Sequence, residues 1–380
     1  QPIAQSLKSD VKNYFLTGVT GFVGVHILQE ILQYCPDAIV YCLIRCDSLA
    51  HGLEKLSAHC HLMKIDIEVM RDNIVIIPGD LKLADLGIDS HNMQQLVFSV
   101  DCIIHSAAYV HHMLDYSALR DVNVMSLKTL ISLFGSGKQR LFHYISSLSA
   151  ADSIHGQAME SLSDSQHFNQ ASNGYVLSKK ACEKIIHNVG CSHSLKFFVH
   201  RLPLVFHHSV TGAYVFDNNH FSNLILGCLD IGSCPLSQKR FPCIPVNYAA
   251  SFIVRSSFFH ALPSGLDVFN LVYSDTITMS HLFRYIKHFY YPEIELISSQ
   301  NWQKKILNLS KKGTRLYSIR AFYQDEDAFI DNASVVYHSE KFLAMLSVCN
   351  IPLKPLDVSY FSSLFGFIGI EKVCHEHIES

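Results

Sequence analysis

Thr17-Gly18-Val19-Thr20-Gly21-Phe22-Val23-Gly24 decides the fold. These residues stand between a short apolar run, 13–16, and a stretch, 23–34, in which Val23, Ile27, Leu28 and Ile31 recur at helical spacing. Glycines at 18, 21 and 24 let the chain turn sharply, let backbone approach an anion, and let helix pack closely on strand. The N-terminus of the following helix adds N–H groups and the positive end of its dipole. A glycine triplet alone also suits a plain tight turn; its strand-turn-helix setting reads as a pyrophosphate-binding loop for a dinucleotide.

Outward from this unit, buried-strand candidates follow at 39–44, 74–77, 102–104, 141–145 and 196–199, separated by helical or loop-length segments. Strands that alternate with helices imply parallel neighbours joined by crossovers. The expected class is therefore α/β: a doubly wound parallel Rossmann sheet with a smaller, mostly helical C-terminal substrate lobe. The expected boundaries are 1–206 for an NADP-binding domain, with the chain returning at about 241–273, and 207–240 and 274–380 for a substrate-binding lobe. Helices are expected around 279–288 and 339–348. There is no internal repeat or low-complexity segment.

Composition narrows the function classes. The chain has 380 residues, 49% hydrophobic and 17% charged, with a formal net charge of −3. That excludes a disordered chain and gives no basic field for nucleic acid. No apolar run approaches the ~20 residues of a membrane-spanning helix, and the polar start lacks a signal-peptide layout, so no membrane span and a cytoplasmic location are expected. The chain begins with Gln1 rather than Met, so the expectation is either a trimmed chain or a domain cut from a longer polypeptide with its partner upstream. The 12 cysteines sit singly in apolar surroundings, without a CxxC pair, and read as buried thiols. Of the 23 histidines, His111-His112 and His207-His208 are adjacent pairs whose side chains diverge on regular backbone, and Cys374-His375-Glu376-His377 lies in a terminal tail. No metal site is expected. His105, at a strand end, reads as packed and satisfied, or as a group supporting a nicotinamide. The 214–229 stretch suits either an acyl channel or core.

Two further features carry chemistry. The strand Val40-Tyr41-Cys42-Leu43-Ile44 ends in Arg45, where an acidic residue would hold the ribose 2′-hydroxyl of NAD. An Arg there suits the 2′-phosphate of NADP, so NADPH is the expected cofactor. Asp47 opposes that reading, and a solvated Arg is the plain alternative. Tyr175 and Lys179 lie four apart and so share a helical face, while Ser146-Ser147 closes a strand upstream. An ammonium near the phenol is expected to lower its pKa, making it a better proton donor to a developing alkoxide, and Ser147 would hold the same oxygen.

With these motifs the chain resembles the extended short-chain dehydrogenase/reductases, and among them the thioester reductase domains that terminate nonribosomal peptide and polyketide synthases and carboxylic acid reductases. The resemblance covers nearly the whole sequence. It includes Gly79-Asp80-Leu81, Asp85-Leu86-Gly87, Ile104-His105-Ser106-Ala107-Ala108-Tyr109-Val110, Asp121-Val122-Asn123-Val124, Ser209-Val210-Thr211-Gly212 and Asn301-Trp302. It implies that Gly18, Thr20, Gly21, Phe22, Val23 and Gly24 serve the pyrophosphate loop, Arg45 the 2′-phosphate, and Asp80 with Leu81 the adenine. It further implies Ser106 and Ala107 near the nicotinamide half, Lys179 on its ribose, Leu202 and Tyr175 against the cofactor, and Ser147, Tyr175 and Lys179 as the catalytic triad. The implied substrate is an acyl or peptidyl thioester on the phosphopantetheine arm of a carrier protein, reduced to an aldehyde, with a second cycle giving an alcohol. The chain departs from its relatives at Leu202-Pro203-Leu204, where a Pro-Gly pair is frequent, and at Asn247, where Asp is usual. The alternatives are a fatty acyl-CoA reductase, another extended reductase such as a nucleotide-sugar enzyme, and a non-catalytic NADP-binding scaffold.

Overall fold

Ile39-Val40-Tyr41-Cys42-Leu43-Ile44 offers no polar side chain to water on either face, which is the pattern of a strand covered on both sides. A computed structural model describes residues 11–111, 114–162, 173–190, 194–216, 220–240, 242–259, 265–272, 278–309, 314–323, 335–356 and 358–371. His112 and the 374–377 stretch lie outside them. The chain runs β1 (Asn13–Thr17), α1 (Phe22–Tyr34), β2 (Ile39–Ile44), α2 (Leu49–Leu62), β3 (Ile74–Pro78), α3 (Ser90–Ser99), β4 (Cys102–His105), α4 (Tyr116–Arg120), α5 (Ser126–Phe134) and β5 (Arg140–Ser147). It continues β6 (Gln157–Ala158), α6 (Gly174–Val189), β7 (Leu195–Leu202), β8 (Leu204–Phe206), α7 (His220–Ile231), β9 (Ser233–Leu236), β10 (Cys243–Pro245), α8 (Val246–Ser256) and β11 (Leu266–Asn270). The last elements are α9 (Met279–Phe289), β12 (Glu295–Ser298), α10 (Ser299–Leu307), α11 (Arg315–Ile319), β13 (Val336–Tyr337), α12 (Glu340–Val348) and α13 (Val358–Phe367).

Two compact units result. The first comprises 1–205, 244–272 and 336–353, and the second 206–243, 273–335 and 354–380. The first unit holds a seven-stranded sheet in the order β11-β7-β5-β4-β1-β2-β3, parallel throughout. The doubly wound class is therefore what the chain adopts. Its order reverses between β1 and β4, and in such sheets ligands bind at that crevice, beyond the carboxyl ends of the strands. Side chains alternate across the sheet. Phe15, Ile103, Phe142 and Phe197 enter a core with Leu127, Leu130 and Phe134 of α5. On the other face His143 and His200 stack on Phe198 and Phe269, and Phe252 of α8 meets His200 edge-on.

One boundary differs from expectation. Segment 336–353 belongs to the first unit, not to the second lobe. Glu160 is the reason: its carboxylate accepts the backbone N–H groups of Asn270 at 3.1 Å, Lys341 at 2.6 Å and Phe342 at 3.1 Å, so it caps α12 and holds it beside the end of β11. Strands β5 and β7 also extend past 145 and 199, through polar residues that burial conceals from a hydropathy pattern.

In the second unit, β9 and β12 pair in parallel, and the fully buried Trp302 donates its indole N–H to the Ser233 carbonyl at 3.1 Å. His207 and Tyr360 stack with centroids 4.0 Å apart; the imidazole meets the Tyr360 carbonyl, and the phenol donates to that of His207. His208 instead accepts the N–H groups of Val210 and Thr211, so the two histidines do diverge. Tyr214, Phe221, Leu224 and Ile225 of the 214–229 stretch are buried as core, although 217–219 lie outside the described residues. Among the described residues no helix is long and apolar enough to cross a membrane, and no cluster suits a metal ion. The described cysteines are free thiols, buried except Cys35 and Cys46.

The His143–His200 pair generates a test. Nδ1 of His143 lies 3.0 Å from Nε2 of His200, and both rings are fully buried. Burial pushes His143 down to about 3 and His200 well below its usual range. The unfolded chain takes up these protons near pH 6.5 and the folded chain does not, so stability falls as pH drops from about 6.5 toward 3. By pH 5 each histidine should cost about 2 kcal/mol. Urea unfolding followed by circular dichroism at pH 7.5 and 5.0 measures this, and the slope should flatten in His143→Leu/His200→Leu.

Candidate active site

The site grows from the ends of strands β1 to β5 and the loops after them. Gly18 takes φ +76°, and a Cβ there would sit 2.6 Å from the backbone N of Ala107. A Cβ on Gly24 would lie 2.0 Å from the Gly18 carbonyl oxygen. These two glycines therefore bring α1 and the segment after β4 onto the same turn, as close as backbone allows. Gly21 is the N-cap of α1 with no side-chain cap, which leaves the helix start shaped for an anion.

Gly18, Thr20, Arg45, Asp80, Leu81 and Ala107 border one cleft of about 520 Å³. Thr17, Leu43, Gly79, Lys82, Ala108, Tyr109 and Val122 share its lining; all but Lys82 stand in the quoted stretches, and none was given a cofactor role from sequence. Thr20 and Arg45 also border a hollow of about 470 Å³ with Lys55 and His59. Lys55 Nζ donates to the Arg45 carbonyl at 2.8 Å, which gathers two cations at the end of β2. Asp47 lies 3.5 Å from His51 with its side chain almost wholly exposed. Gly21 and Ser106, on the same loops, and Phe22 and Val23, at the start of α1, do not border the larger cleft, and Gly24 is turned to the loop as a packing glycine.

Ser147 stands half-buried at the end of β5, opposite Leu202 in the parallel register. Its Oγ lies 2.9 Å from Ser149 Oγ. Tyr175 and Lys179 are one turn apart on α6, whose N-cap Asn173 accepts the Val176 N–H at 3.0 Å. Lys179 donates to the Ile145 carbonyl at 2.6 Å and lies 4.8 Å from the Tyr144 ring centroid and 5.9 Å from that of Tyr175. The expected lowering of the Tyr175 pKa is not what these surroundings produce. Burial raises the phenol, Cys182 adds to the rise, and burial lowers Lys179 to about 8. In this setting desolvation outweighs the attraction between the two groups.

Two residues, Asn123, quoted only within a motif, and His105, read as a packed strand-end group or a support for the nicotinamide, hold the site together. Asn123, on the π-helical turn Asp121–Met125, accepts the Tyr109 N–H at 2.7 Å and donates to the Tyr109 carbonyl at 3.1 Å and to Ser178 Oγ at 3.0 Å. It clamps the loop after β4 to α6. His105 is neutral, pushed down to about 3 by burial; Nδ1 meets Thr17 Oγ1 at 2.7 Å and Nε2 meets Ser126 Oγ at 3.4 Å. Thr17 Oγ1 also accepts the Ala107 N–H at 3.3 Å, so His105 supports the loop that Gly18 touches.

Sheet order, glycine turn and cleft together define a dinucleotide-binding protein of Rossmann type. The sequence model of the male sterility protein family, an NAD-binding family, matches residues 16–253, and the chain belongs to that family. It is 26% identical over 360 residues to a linear gramicidin synthase polypeptide of Brevibacillus parabrevis, covering 93% of this chain and 7% of that protein. It is 27% identical over 328 residues to the L-2-aminoadipate reductase large subunit of Eremothecium gossypii, covering 82% of this chain and 24% of that one. The chain thus spans a small part of these relatives. The terminal R domain from the myxalamid PKS-NRPS biosynthetic pathway has the same fold, with a TM-score of 0.85 at 23% identity, covering 95% of this chain and 91% of that one.

The Gly24 contact predicts that Gly24→Ala displaces the turn, lowers stability by about 1–3 kcal/mol and weakens dinucleotide binding at least tenfold. Chemical unfolding together with a cofactor fluorescence titration measures both.

Proposed function

We propose that this chain is an NADPH-dependent reductase that releases an acyl or peptidyl thioester from the phosphopantetheine arm of a carrier protein as an aldehyde, with a second cycle giving the alcohol. What supports this reading is that Ser147 ends β5 and that Lys179, one turn from Tyr175 on α6, bonds the Ile145 carbonyl of the same strand, in the sheet whose switch point holds the glycine turn and the Arg45 cleft. Similarity to segments of a gramicidin synthase and of an aminoadipate reductase supports it. A sensor or scaffold would have no use for that triad.

The residues present fit the dinucleotide, since Gly21 opens α1 without a side chain over its first N–H groups, and Gly18, Thr20, Arg45, Asp80, Leu81 and Ala107 line one cleft. Gly18, Thr20 and the start of α1 would hold the pyrophosphate, Arg45 the 2′-phosphate, Asp80 and Leu81 the adenine, and Lys179 the nicotinamide ribose. When bound, NADPH supplies the hydride. Ser147 and Tyr175 donate hydrogen bonds to the acyl oxygen as it gains negative charge, and Tyr175 passes its proton to that oxygen. Lys179, positive below about pH 8, stabilises the charge left on Tyr175. Collapse of the resulting hemithioacetal expels the thiolate.

Tyr175→Phe should lower kcat by about 10² or more with NADPH affinity nearly unchanged. The wild-type rate should decline as pH rises through about 8, where Lys179 loses its proton. Arg45→Ala should remove most of the preference for NADPH over NADH, about 1.5–3 kcal/mol for a charge-assisted contact. Product analysis by mass should show aldehyde from carrier-bound thioester, slower turnover of a minimal thioester, and none of the free acid. A higher kcat/KM with a sugar nucleotide or free ketone would sink the thioester assignment in favour of another extended reductase.

A further inference from the structure

The strand and the helix that carry the triad are joined by two polar contacts one helical turn apart. Lys179 Nζ donates to the Ile145 carbonyl, and Ser146 Oγ donates to Glu183 Oε1, each at 2.6 Å. Ser147 follows directly. Glu183 is fully buried and also receives Arg201 from β7, Nε at 3.0 Å and Nη2 at 2.7 Å. Ser146 and Arg201 are themselves register partners across β5 and β7. One carboxylate therefore ties the ends of two strands to the helix that bears Tyr175 and Lys179.

A buried ion pair is seldom more stabilising than apolar residues of the same shape. Here its contacts fall where Ser147 and Leu202 end their strands. We infer that Glu183 is a positioning residue for the reaction: it fixes Ser147 relative to Tyr175 and Lys179, and its carboxylate is the negative charge that faces the Lys179 ammonium. This inference rests on the reductase reading above.

The other groups around Lys179 leave that role to Glu183. His105, facing it from β4, is neutral, because burial pushes it down to about 3. Tyr144 on β5 and Tyr175 on α6 are both raised by burial and stay neutral. Cys182, pushed up to about 11 by burial, is a neutral thiol at pH 8. The neighbouring Lys180 pairs with Asp152 at 2.7 Å. Arg201 is bound by Glu183 itself. Burial lowers Lys179 to about 8, and Glu183 opposes that fall.

The test uses Glu183→Gln, which keeps shape; Glu183→Met/Arg201→Met, which leaves no unpaired charge; and Glu183→Asp, which keeps the charge but retracts it. Lys179 is followed by NMR in [15N]lysine-labelled protein, its signal assigned with Lys179→Arg, and kcat is followed against pH. In the first two variants the Lys179 midpoint should fall by about half a unit or more, and the alkaline limb of kcat should move with it. At pH 7 kcat should drop about tenfold with KM for NADPH within about twofold. Glu183→Asp should keep the midpoint and lose part of kcat. Folded neutral variants with the wild-type midpoint and profile overturn the inference. An unchanged kcat in Glu183→Asp overturns the positioning role even where the neutral variants do not fold. If the wild type reduces no thioester, the reductase reading fails, while the NMR titration still decides which charge Lys179 faces.

Discussion

Everything in the first unit is arranged around a contact that admits no side chain. Gly24 meets the Gly18 carbonyl, and Gly18 meets the backbone after β4, both closer than a Cβ permits. This sets the distance of α1 from β1 and draws the Ala107 segment to the turn, where Thr17 and His105 fix it by hydrogen bonds. Because β1 and β4 are the neighbours at which sheet order reverses, the contact also shapes the mouth of the crevice. A larger residue would open that mouth, and no surface interaction could restore it.

The second constraint is electrostatic. The charged side chains of Lys179, Lys180, Glu183 and Arg201 are buried near the ends of β5 and β7. Each is answered locally: Lys179 by a carbonyl, Lys180 by Asp152, and Glu183 by Arg201 and Ser146. Charge removed from water is tolerable only under such pairing. The opposite face of the sheet solves the same problem by neutrality, with His143 and His200 sharing a hydrogen bond among aromatic rings.

Much of this was legible in the sequence because its causes are local. The glycine turn, the uniformly apolar β2 and the i, i+4 spacing of Tyr175 and Lys179 each depend on a few neighbouring residues, and the structure forms the turn, the strand and the helix where they were expected. What could not be read depends on residues far apart in sequence. Glu160 captures Lys341 and Phe342 across 181 and 182 positions, and nothing near 340 announces that it returns to the first unit. Arg201 and Glu183 look like solvated charges until the fold buries them together. The sign of the Tyr175 shift failed for a related reason: spacing reveals that a lysine is near but not how deeply both groups are buried.

A gradient of polarity along the strands links these observations. The starts and middles of β1, β4, β5 and β7 present Tyr14, Phe15, Ile103, Phe142 and Phe197, all buried. Near their carboxyl ends, and at that of β11, stand Thr17, His105, Ser146, Arg201 and Asn270, equally buried but hydrogen-bonded. Buried polar groups are costly unless partnered, and the sheet holds others elsewhere, with Arg140 at the start of β5 donating to the Val100 and Phe134 carbonyls and His143 bonded to His200 in mid-strand; the carboxyl end differs in having one on each of these five strands. That end is where the loops meet the cleft. Part of this is written in the strands' own sequences, since β1 and β4 close on Thr17 and His105 after apolar runs and β5 closes on Ser146-Ser147, and it marks the carboxyl edge of the sheet as the one arranged for chemistry.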